Sequence, residues 1–185
     1  MPHVGGALLA GGALWLGAVA RLESGGDVES IVVRTLFLLA GLLIAFDLWR
    51  LRSQLPSRLA RVGATLTAAA ALFTGVGFGI GSFAGFLLAY AGELFVIPLG
   101  LALLGLGLWR GGGLPTWAPW IPVMLAVAGV ITYGFHALAR ETWDPPDAML
   151  FVILGAGWMV LGAAAAASTG SRDRRGSSPG RGRDR

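Results

Sequence analysis

"FAGFLLAYAGELFVIPLGLALLGLGLW" (83–109) holds a single charge, Glu93, in a run longer than the ~20 mostly apolar residues that carry a helix across a bilayer. Five more apolar stretches lie outward from it, at about 4–20, 31–49, 59–80, 117–139 and 148–167, joined by short connections. Within lipid each backbone N–H and C=O needs a partner inside the protein, and a helix supplies these within one segment. The expectation is an all-α transmembrane bundle of six spans covering 1–170, followed by a disordered tail at 171–185. Composition agrees: of 185 residues 55% are hydrophobic and 13% charged, with mean hydropathy +0.72. Ordinary soluble domains carry about a quarter charged residues.

Arginine orients the bundle, because short cytoplasmic loops collect positive charge. The connection after the second stretch carries Arg50, Arg52, Arg58 and Arg61, and the one after the fourth carries Arg110. The tail adds Arg172, Arg174, Arg175, Arg181, Arg183 and Arg185. The alternate loops instead mix Arg21 with Glu23, Asp27 and Glu29, and Arg140 with Glu141, Asp144 and Asp147. Both ends are therefore expected inside, with the chain in the cytoplasmic membrane. Trp49, Trp109, Trp117 and Trp120 fall at the inner interface and Trp143 at the outer, as in an aromatic belt. Ala18-Val19-Ala20 has the form of a cleavage site, but the basic region that precedes one in a signal peptide is missing. The net charge of +4 resides in the tail, so a pI near 11 is no argument for nucleic acid.

Several chemistries are excluded by composition. Every basic residue is Arg, which removes lysine Schiff bases and the P-loop lysine. The chain has no Cys, which removes thiolate nucleophiles, thiolate clusters and covalent haem attachment. With only His3 and His136, no cofactor and no metal are expected. The 30 Gly and the Ala runs read as small-xxx-small contacts for close helix packing.

"LWRLRSQLPS" (48–57) and "LWRGGGLPT" (108–116) share an LWR, a spacer and an LP before a hydroxyl residue. A duplicated hairpin explains this, and so does the residue preference of a cytoplasmic turn. The Arg/Gly turn into "LPTW", the "GELFVIPLGLALLGLGLWR" helix before it and the final "GAGWMVLGAAAA" helix resemble uncharacterised small six-helix membrane proteins of bacteria. That resemblance, over the second half of the chain, implies a fold and a location and no activity.

The glycine-rich "TGVGFGIGSFAG" (74–85) approaches a potassium filter in Val76-Gly77-Phe78-Gly79, but Gly75 stands where threonine belongs. Ser82 and His136 suggest a rhomboid-type protease, yet Phe83 follows Ser82 where that motif has glycine. A tightly packed end of the third span is the reading left.

Glu93 is the stronger signal, since an ionisable group within a span faces the bundle interior or a water-filled cavity by default. Phe86, Tyr90, Glu93 and Ile97 recur at helical spacing, as do Gly129, Tyr133, His136 and Arg140 on the fifth span. Arg34 lies in the same outer half, and Pro98 is expected to kink the helix just below the carboxylate. The functional expectation is an outward-facing polar pocket with Glu93 as its acid, His136 as its partner, Arg34 and Arg140 as anion contacts, and Tyr90 and Tyr133 as walls. The competing expectation is that Glu93 ties helices together while Arg34, Asp47 and Arg140 extend to the interfaces.

Three function classes follow: a non-enzymatic sensor, complex subunit or small-ligand or lipid binder; a proton-linked transporter with Glu93 as the titrating group; and an intramembrane enzyme, the least supported. The expected partners are the bilayer, anionic headgroups at the tail arginines, and a second copy or another membrane protein.

Overall fold

The computed structural model describes residues 5–26, 30–55, 57–111, 117–139 and 146–176. Within 5–176, the side chains at positions 83, 86, 90, 93, 94, 132–139, 146–148, 150 and 168–176 lie outside that description. All secondary structure in the described residues is helical: α1 (Gly6–Glu23), α2 (Ile31–Arg52), α3 (Arg58–Ile80), α4 (Phe83–Ala91), α5 (Ile97–Gly111), α6 (Trp120–Ala139) and α7 (Pro146–Gly176). A π-helical turn, Gly92–Val96, joins α4 to α5. The helices α1, α2 and α3 are long and apolar enough to cross a membrane.

Neighbours in sequence are neighbours in space. α1 packs on α2, α2 on α3, α3 on α5, α5 on α6, α6 on α7, and α7 returns to α1, so the rods form a ring. Aromatic rings knit one side of it: Trp15 meets Phe37 edge-on at 5.1 Å, Phe37 stacks on Phe78 at 4.7 Å, and Phe151 of α7 lies 5.8 Å from Trp15. Stacked and edge-to-face pairs at these distances favour particular ring orientations beyond simple burial. Leu8, Ile44, Leu48 and Trp158 are buried around them.

Small residues set the spacing of the rods. At Gly41 an added Cβ would lie 2.5 Å from the Ala71 carbonyl oxygen and 2.8 Å from the Gly75 Cα, so α2 and α3 touch backbone to backbone. Gly81 closes α3 with φ 62, a left-handed conformation that glycine adopts without steric cost, and its N–H reaches the Gly77 carbonyl. Ser82 then caps α4, its hydroxyl accepting from the Gly85 N–H at 3.1 Å. The 74–85 glycines thus serve a helix end and a tight turn, and Ser82 is a capping residue.

Two expectations change. α7 continues through 171–176, into the stretch assigned to a disordered tail; the Ala run at 163–167 has high helix propensity and carries the helix forward. Asp47 does not extend to an interface but is buried, 1% exposed.

Candidate functional site

The π turn is built by two residues. Pro98 has no N–H and its ring crowds the carbonyl four residues back, so a regular α-helix is broken at that place. The chain answers by widening: the Ile97 N–H bonds the Gly92 carbonyl, five residues back. Where the sequence predicts a kink at Pro98, the structure has an extra-wide turn just before it. Gly92 allows the turn to press on α3, where an added Cβ would lie 3.0 Å from the Thr74 hydroxyl. Thr74 is fully buried and its hydroxyl donates to the Ala89 carbonyl at 3.4 Å, a partner for backbone at the start of the widened turn.

Glu93 is the second residue of this turn. The turn touches α3, α5 and α6. The register of α5 against α6 follows from two contacts. A Cβ at Gly105 would meet Val123 and the Pro119 carbonyl, and one at Gly129 would lie 3.4 Å from the Pro98 ring. Continued by five residues, this antiparallel register brings backbone position 93 level with about position 134 of α6. Backbone positions 90, 93, 133 and 136 therefore fall within about one helical turn of each other along the bundle. Their side chains lie outside the described residues, as does all of Arg140, along with Trp143 of the expected outer belt.

Below that level, between α5 and α6, an apolar groove of about 480 Å³ runs along Phe95, Pro98, Leu99, Ala126, Val130 and Ile131. Phe95, two residues after Glu93, is 70% exposed.

Arg34 does not stand free as the sequence suggests. Its guanidinium donates to the Ile80 carbonyl, at the C-terminus of α3, and packs against Gly81. A cation there satisfies a carbonyl that the helix end leaves open and opposes the negative end of the helix dipole. The Arg34 Nε is buried without a partner.

The residue that sequence reasoning misjudged is Asp47. One carboxylate oxygen accepts from the N–H of Gly5 at 2.9 Å and of Leu8 at 3.0 Å. The N-cap residue of α1 is Gly5, which has no side chain to do this. Asp47 thus supplies from α2 what a capping box supplies from within a helix, and its charge faces the positive end of the α1 dipole. The other oxygen is buried and unpartnered. No local signal in the sequence points to this capping role, since the N–H groups that Asp47 serves are 42 and 39 positions away.

On the arginine-rich side, the two LWR segments are alike in their described residues. Leu48 and Leu108 are buried while Trp49 and Trp109 are exposed. Ser57 ties the start of α3 to α5, accepting from the Ala60 N–H at 3.0 Å and donating to the Gly107 carbonyl at 2.8 Å. Trp109 lies 6.2 Å from Trp120.

No cluster of His, Asp and Glu that could hold a metal ion occurs among the described residues. No family model, curated protein or solved structure matches this chain.

Proposed function

We propose that the chain is a six-span bundle of the bacterial cytoplasmic membrane, both ends inside, that binds a small amphiphile or lipid at the level of Glu93 without transforming it. The observation that carries this is the π turn. Such turns are frequent at functional sites, and this one carries an acidic residue, lies within about a helical turn of backbone positions 133 and 136, and adjoins an apolar groove that Phe95 lines. A polar headgroup beside Glu93 and His136 and a tail along Phe95, Leu99 and Val130 is the division of labour such an arrangement supports. The alternating arginine content of the connections supports the orientation. The tail arginines Arg172, Arg174, Arg175, Arg181, Arg183 and Arg185 add attraction for anionic headgroups, which salt weakens.

The absence of native Cys gives a direct test. A single cysteine at position 93 should react with a membrane-impermeant thiol reagent added outside intact cells, and one at the buried Leu104 should not. Silence at both positions in inserted, folded protein would make Glu93 a packing residue and end the binding reading. If the water-accessible carboxylate also dissipates a pH gradient in proteoliposomes, the function is proton-linked transport with Glu93 as carrier.

A further inference from the structure

A second site lies at the opposite end of the bundle from the Glu93 level. Between the end of α2 and the start of α3, a groove of about 750 Å³ is lined by Arg52, Ser53, Arg58, Arg61, Val62, Thr65 and Leu66. Three cations gather there, and the Arg58 and Arg61 guanidinium groups make no ion pair among the described residues. Both arginines are exposed, whereas Arg52 is half-buried and lies over the Trp49 ring at 4.3 Å. Stacking of this kind pre-orients a planar guanidinium, whose fork of donors matches phosphate oxygens.

We infer that this groove is a binding site for an anionic phospholipid, with its phosphodiester held by Arg52, Arg58 and Arg61 and an acyl chain laid along α3. Two features favour a lipid over a soluble anion. First, Trp49 is 57% exposed beside Arg52, and an exposed tryptophan at the end of an apolar helix marks headgroup depth. Second, the polar mouth is continuous with an apolar stripe. Val62, Leu66, Ala69 and Phe73 recur at four, three and four along α3, and none of them is buried. Eleven residues of helix rise ~16 Å, about half of the ~30 Å hydrocarbon core, which is the depth one leaflet's chains occupy. Basic pockets between helices on the cytoplasmic side are recurrent headgroup sites. The site uses neither Glu93 nor the tail. It requires only that α2 and α3 lie in a bilayer, so it stands or falls apart from the Glu93 pocket.

The test is native mass spectrometry of the full chain released from mixed phosphatidylglycerol and phosphatidylcholine micelles. Wild type should retain phosphatidylglycerol in preference to phosphatidylcholine. R58Q/R61Q should lose that preference by about five-fold for each arginine removed. R110Q, on the same side but off the groove, should retain it, and the tail is present in every variant. Circular dichroism verifies that each variant is folded, and the single variants R58Q and R61Q replace the pair if it is not. Three results would overturn the inference: undiminished preference in the arginine variants, an equal loss in R110Q, which would make the attraction diffuse, or displacement by an equal concentration of inorganic phosphate.

Discussion

The two sides of the ring solve helix packing differently. Where α1, α2, α3 and α7 meet, backbones touch at Gly41 and Gly75, four aromatic rings interlock, and Asp47 caps α1 from α2. Where α5 meets α6, Pro98 forces a widened turn, and an apolar groove opens beside it. The first side has little room to change without loss of contact. The second already departs from regular helix, and the departure sits at the acidic residue. A bundle that concentrates its close packing on one side can hold an irregular turn on the other.

The sharpest way to break the contrast is Gly41→Leu. Its side chain would collide with the α3 backbone, which cannot move aside as a flexible side chain would. The expected cost is about 3 kcal/mol or more, read as a large fall in the thermal unfolding midpoint in detergent. Asp47→Ala should cost about 1–2 kcal/mol by leaving the α1 N-terminus uncapped. Its signature is faster hydrogen exchange at Gly5 and Leu8, and Asp47→Asn, which keeps an acceptor, should lose less. Arg34→Gln should cost about 1 kcal/mol, because an uncharged side chain no longer opposes the α3 dipole, and exchange should accelerate near Gly81. Smallest in stability is Pro98→Ala, expected within about 1 kcal/mol of wild type. It restores an N–H and permits a regular turn, so the labelling rate of a cysteine at position 93 should change while the α1 to α3 side keeps its exchange rates. A uniform response of both sides to Pro98→Ala would mean that the ring behaves as one unit.

The helices were legible because membrane spans are written in length and apolarity. Stretches at 31–49 and 59–80 became Ile31–Arg52 and Arg58–Ile80, and the 83–109 run became α4, the π turn and α5. Boundaries moved where a polar end could still propagate helix, as at α7. The π turn was half legible: Pro98 announced a defect, but whether a helix kinks or widens depends on what presses against it, here α3 at Gly92 and Thr74. Asp47 was not legible as a cap. Nothing near it in sequence needs one, and its partners are 39 and 42 positions away. Arg34 likewise reads as an anion contact until α3 is seen to end beside it. For Glu93 and His136, helical spacing placed each on its own helix, and only the α5 to α6 register shows their backbone positions to be within about a turn of each other.

The closure of the ring through α1 and α7 has a consequence for biogenesis. α1 and α2 share the Asp47 clasp, so the first hairpin can cap α1 as soon as both helices have left the ribosome. The face of α1 at Gly12, however, fits against Gly155 and Met159 of α7. That seam stays open to lipid, or to an insertion factor, until α7 arrives, so α1 gains its full set of neighbours long after it is made.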